Sequence, residues 1–99
     1  MNNRAKVIKV SGEVNDLDHR PTLKEAQDTV GGYIEFLKAT EDKTDRRVTL
    51  VVNEEGRLQN LPINVFVTAG YSVGNRFNTS HFPVVGDVIV LYGWQTVGS

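Results

Sequence analysis

The sequence predicts a small α+β domain, with four to five strands in a mainly antiparallel or mixed sheet and two short helices packed on one face of it. Three observations carry that prediction. A helix signal, a glycine pair and a strand signal follow one another inside Thr22–Phe36. Two β-branched and aliphatic runs, VTLVVN at Val48–Asn53 and VIVLY at Val88–Tyr92, read as strands. The elements also come in mixed order, without a regular strand–helix alternation.

The chain has 99 residues, the size of a single hydrophobic core, so 1–99 is read as one domain with frayed ends at 1–4 and 95–99. Hydrophobic residues make up 39% and charged residues 23%, a globular rather than a disordered balance. Eleven Lys and Arg nearly cancel 12 Asp and Glu, and the net charge of -1 offers nucleic acid no bulk attraction. The lack of cysteine removes disulfides, thiolate metal sites and cysteine nucleophiles. Met1–Lys9 has no apolar leader run, and Val88–Tyr92 is far too short to span a bilayer. The expectation is a cytoplasmic protein with no membrane partner.

Along the chain, Ala5–Val10 predicts a strand, with Ala5 and Val7 on one side and Lys6, Ile8 and Val10 on the other. It is read as an edge strand, able to pair with a second copy across a two-fold axis. Gly12 and the polar run Asn15–Pro21 predict a loop. Thr22 is a good N-cap, and Glu25 three residues later completes a capping box. The helix that follows is expected to bury Leu23, Ala26, Val30 and part of Gln27, at i, i+3, i+4 and i+7 spacing. Gly31 stops it in a left-handed conformation, and Gly32 lets the chain reverse. Tyr33–Leu37 is then a strand with Ile34 and Phe36 inward and Tyr33 and Glu35 on the other side.

Lys38–Arg47 carries charges of both signs and predicts a solvated connection before the strand Val48–Asn53. Asn53-Glu54-Glu55-Gly56 predicts a four-residue reversal with Gly56 at positive φ, returning into Arg57–Gln59. Leu61-Pro62 sets an extended bend. Asn64 caps a second short helix, in which Val65, Phe66 and Ala69 form the inward stripe. Ser72–Ser80, rich in Gly, Asn, Ser and Thr, predicts a loop. Gly86-Asp87 turns the chain into Val88–Tyr92, which is apolar on both sides and therefore belongs at the centre of the sheet.

The motif-borne carboxylates are Glu25, Glu35, Glu54, Glu55 and Asp87, and paired carboxylates can do acid–base work or hold a hard cation. Folding roles account for most of them: Glu25 closes the capping box, Glu54 and Glu55 sit in a solvated turn, and Asp87 satisfies turn amides. Glu35 differs, since a charge within a strand needs a partner or water. His19 and His81 stand apart, without zinc-binding spacing. Ser11, Ser72 and Ser80 lack a nucleophile elbow. Gly31-Gly32 follows a helix instead of preceding one, the wrong polarity for cradling phosphate, and Gly70–Asn75 lacks the lysine of a phosphate-binding loop. The expectation is no enzyme, no catalytic residue, no metal and no cofactor, with a metal-assisted hydrolase using Glu54, Glu55 and Asp87 as the minor alternative.

The candidate contact surface is the loop Tyr71–Phe82 with its neighbours: Tyr71, Arg76, Phe77, Asn78, Thr79, His81, Phe82 and Trp94, joined by Tyr33 and Glu35. Arginine and aromatic side chains on an adaptable polar loop suit a protein contact. The same set suits a nucleotide-like ligand, through stacking and a charge-assisted bond to phosphate. The plain alternative is that Phe77 and Phe82 only pin the loop to the core.

Four short motifs occur in order: L-K-E-x-Q-x-x-V-G-G-Y-I-E at Leu23–Glu35, V-x-N-E-E-G-x-L at Val51–Leu58, Leu61-Pro62-x-Asn64, and Val85-Gly86-Asp87-Val88. Spread over Leu23–Leu91, this series resembles a family of small domains found mostly in phage and prophage sequences and carrying no assigned function. The resemblance implies a phage-type protein working in the host cytoplasm. The leading expectation is a non-catalytic binding protein that inhibits or sequesters a host factor, in an anti-defence role, by protein contact. The alternatives are a sponge for a nucleotide-like signalling ligand and a homo-oligomeric structural or assembly module.

Overall fold

The last strand among the described residues lies inside the sheet, not at its edge. In the computed structural model, which describes residues 5–75, 78–80 and 83–93, β7 (Val88–Tyr92) lies between β1 (Ala5–Ile8) and β4 (Arg46–Asn53). The other elements are β2 (Val14–Leu17), α1 (Leu23–Val30), β3 (Ile34–Glu41), α2 (Val65–Gly70), β5 (Tyr71–Asn75) and β6 (Asn78–Ser80). Among the described residues seven strands form one sheet in the order β2-β1-β7-β4-β3-β5-β6, and every pairing is antiparallel. The α+β class holds, with more strands than the four to five expected.

Alternation along the central strands sorts the core into two. Val88 and Val90 join Ile8, Val48, Leu50 and Val52 on one face. Ile89 and Leu91 join Ala5, Val7 and Val51 on the other. A strand apolar on both sides is stable only when both faces are covered, and the helices divide that work. Ala26 of α1 packs into the second cluster and Val67 of α2 into the first. The expectation that both helices share one face is therefore corrected. Each fully buried aliphatic side chain here contributes about 1.5–3 kcal/mol relative to its exposed state.

α1 keeps its expected ends. Thr22 Oγ1 accepts from the Glu25 amide at 3.2 Å, and Glu25 Oε1 accepts from the Thr22 amide at 2.9 Å. Gly31 closes the helix at φ 82°, the left-handed conformation that only glycine adopts without strain. Ala26 and Val30 are buried as expected, but Leu23 is 48% exposed and takes no part in the cluster that Ala26 joins. In α2, Asn64 is the N-cap as expected, yet Val67 is the buried residue while Val65 and Phe66 are exposed. Six residues make too short a helix for a stripe, so one inward position suffices.

Polar composition concealed strand in three stretches. The predicted loop 12–21 contains β2, an edge strand whose exposed side chains need no apolar alternation because its backbone bonds to β1 hold it. For the same reason 5–10 is no edge: its core, β1, is paired on both sides. The predicted connection 38–47 shrinks to a turn at 42–45, since β3 runs on to Glu41 and β4 begins at Arg46. The predicted loop 72–80 contains most of the hairpin β5–β6.

Two further details differ. Phe36 was expected inward but is 40% exposed, and of the two only Ile34 packs against the cluster that holds Ala26. The reversal after β4 takes seven residues, 54–60, and its positive φ belongs to Asn60 at 55°, not to Gly56. Gly56 is required by contact instead: a Cβ there would stand 2.7 Å from the Val85 side chain.

Candidate functional site

The end of the sheet where β3 begins and β4 finishes is bordered by a cleft on each face. Asn53, the last residue of β4, builds that end. Its buried Nδ2 donates to the Val30 carbonyl and to Gln59 Oε1, both at 3.1 Å, while its Oδ1 accepts from the Glu55 amide at 2.8 Å. One amide thus ties the C-terminus of α1, the strand and the turn together.

On the face that bears α2, a cleft of about 200 Å³ has Leu37, Val52 and Val84 in its lining, with Glu35, Glu54, Arg57 and Leu58 around them. Glu35 stands opposite Val52 in the β3–β4 register, Glu54 opens the turn that follows β4, and both carboxylates line that cleft. Arg57 Nη2 is engaged with the Pro83 carbonyl at 3.1 Å. Among the described residues neither Glu35 nor Glu54 has an ion-pair partner. Leu58 is 82% exposed.

On the opposite face, a wider cleft of about 460 Å³ is lined by Gln27, Asp28, Gly31, Tyr33 and Glu55, among others. Tyr33 and Glu35, expected as joint members of a contact surface, therefore open into different clefts. The structure separates them because they flank the point where the chain enters the sheet.

Tyr71 is not on a loop. It opens β5, is buried, and donates its hydroxyl to Glu41 Oε2 at 3.0 Å. Lys6 Nζ lies 3.6 Å from the same oxygen, and the Thr44 hydroxyl donates to Glu41 Oε1. The Tyr92 ring stacks beneath the Arg46 guanidinium at 4.2 Å, with Lys6 at 5.7 Å. Burial pushes the Tyr71 phenol up to about 12, the Glu41 charge adding to the shift and Lys6 opposing it. For Glu41, burial favours the neutral acid, but the hydroxyls of Thr44 and Tyr71 and the charge of Lys6 outweigh it and hold the carboxyl below its ordinary value. For Lys6, burial disfavours the charge, and Tyr92, Tyr71 and Glu41 more than restore it. Sequence reasoning missed this network because its members lie in separate elements; antiparallel pairing alone unites them.

Arg76, Phe77, His81, Phe82 and Trp94 lie outside the described residues. Asn78 and Thr79 belong to β6, paired with Asn75 and Gly74. Of the remaining polar candidates, Asp87 accepts from the Val10 amide at 3.0 Å. His19 is exposed, with Asp18 at 3.0 Å and Glu25 at 3.5 Å, and hydrogen bonding to both carboxylates raises its pKa. Among the described residues no three His, Asp or Glu side chains converge to hold a metal ion, and no helix is long and apolar enough to cross a membrane.

Fold and site together define a small α+β domain with an antiparallel sheet and two solvent-open clefts at one sheet end. Residues 4–96 match the domain of unknown function DUF3846, and the chain belongs to that family. No curated protein and no solved structure matches the chain.

Proposed function

We propose that this domain works by protein contact without catalysis, as a phage-type binding protein that holds or inhibits a host factor in the host cytoplasm. The observation that supports this best is the α2-side cleft, in which Leu37, Val52 and Val84 lie beside the highly exposed Leu58. A large aliphatic side chain held in water beside a concavity is the arrangement that a partner's anchor residue fills. Phage origin is supported by the four motifs of the sequence. The carboxylates on the cleft carry the wrong sign for phosphate, which weighs against a nucleotide-like ligand at this position.

The test is capture from phage-infected cells with the purified domain, followed by mass spectrometry. Leu58→Asp is expected to lose a protein that both the wild type and Leu23→Asp retain, Leu23 being an exposed leucine on the other side of the sheet. An identical set of captured proteins for all three sinks the reading. A melting-temperature rise of several degrees with a nucleotide, cyclic forms included, would favour the sponge instead.

A further inference from the structure

We infer that the α2-side cleft receives a basic side chain of its protein partner, a lysine or arginine next to an apolar residue, with the cation held between Glu35 and Glu54. The inference rests on the protein-contact reading and specifies the chemistry of the contact. Glu35, opposite Val52 in the β3–β4 register, and Glu54, at the start of the turn after β4, line the same cleft. Both are exposed and add negative charge to the same lining. No cation among the described residues relieves them by an ion pair, and the one arginine in the lining, Arg57, is engaged with the Pro83 carbonyl.

The lining therefore combines an apolar floor with one excess negative charge. Leu37, Val52 and Val84 share the lining with the carboxylates, and a partner side chain that covers this floor displaces water there, which strengthens an ion pair relative to one in open solvent. Lysine and arginine match that layout: an alkyl stem covers the floor while the head reaches the carboxylates at the mouth. An apolar neighbour in the partner then packs on Leu58 and Val85. An acidic or phosphorylated segment would meet repulsion at the same point.

The probe is a set of three capped tripeptides, acetyl-Leu-Arg-Leu-amide and its Gln and Glu counterparts, titrated into the ¹⁵N-labelled domain. The Arg peptide is expected to give saturable amide shifts at Glu35, Val52, Glu54, Leu58 and Val85. Binding of the Gln peptide, and of the Arg peptide to the Glu35→Gln/Glu54→Gln variant, is expected to be about five-fold weaker, the loss of two partly exposed ion pairs. The Glu peptide is expected to bind weakest. Equal affinity for all three peptides, shifts confined to other residues, or no shift at millimolar peptide would each overturn the inference. Concentration-dependent shifts of these amides without peptide would assign the cleft to a second copy of the chain, and would overturn it too. The peptide comparison needs no variant, so a misfolded double mutant does not blunt it. Failure here, with Leu58→Asp still abolishing specific capture, removes the basic-residue inference and leaves the protein-contact reading standing.

Discussion

The side-chain amide of Asn64 donates to the Ile8 carbonyl at 2.9 Å, across fifty-six residues of sequence. The same nitrogen donates to the Gly86 carbonyl at 3.0 Å, and Asn64 Oδ1 accepts from the Val67 amide at 3.2 Å. The residue is fully buried. One side chain thereby joins the end of β1, the start of α2 and the approach to β7.

Asn64→Asp is the sharpest test of that joint. It replaces a two-proton donor by a carboxylate oxygen facing two carbonyl oxygens in a buried site, and an uncompensated buried charge costs about 3–5 kcal/mol. Urea denaturation at neutral pH is expected to show the variant largely unfolded or destabilised by that amount. A loss below about 1 kcal/mol would mean that the joint carries little of the fold.

Glu41 gives the fold an acid sensitivity. Its carboxyl is held below its ordinary value, so its stabilisation is present above the ordinary carboxylate range and is lost as pH falls through the lowered pKa. The stability difference between wild type and Glu41→Gln, about 1–2 kcal/mol at pH 7 for a hydrogen-bonded and largely covered carboxylate, is expected to shrink toward zero near pH 2. Denaturation midpoints measured across that range check it; a difference independent of pH would contradict the assignment.

Tyr71 supplies the alkaline counterpart. With a folded pKa raised to about 12, its neutral form is favoured by the fold, and its contribution is intact below the ordinary tyrosine value and lost as pH climbs toward 12. Ultraviolet absorbance at 295 nm is expected to show a late phenolate transition that Tyr71→Phe removes. Tyr71→Phe leaving the titration curve unchanged would place the phenol in water.

Gly56→Ala tests whether close approach alone demands glycine there. The new methyl would stand 2.7 Å from Val85 Cγ2 and 3.3 Å from the Asn53 carbonyl. Overpacking of this kind costs about 1–3 kcal/mol. Val85→Ala opens the contacted side, so the double mutant is expected to lose less than the sum of the singles. Strict additivity would place the cost in the backbone rather than in the contact.

The sequence was most legible where one local interaction decides the structure. The capping box of Thr22 and Glu25, the Gly31 stop, the Asn64 cap and the doubly apolar β7 each carry their own cause within a few residues. It was least legible at β2, the ends of β3 and β4, and the β5–β6 hairpin, where backbone pairing with a distant strand outweighs polar composition. The site divides in the same way. Glu35 stood out as a strand charge in need of a partner, and the structure places it on a cleft. Leu58 closed a motif but was no site candidate, because an exposed leucine in a turn carries no such signal until the fold shows what lies beside it. Tyr71 was singled out for its loop-like neighbours, and its partnership with Glu41 rests on a contact thirty residues distant.

The place of β7 between β1 and β4 has a consequence for the chain as it leaves the ribosome. Until residue 92 has emerged, β1–β2 and the β4–β3–β5–β6 array have no common partner, and each displays an open inner edge, β1 with Val7 and Ile8 and β4 with Val48, Leu50, Val51 and Val52. Synthesis therefore leaves two half-sheets waiting for one late strand, and the nascent domain passes through its most adhesive state just before it closes.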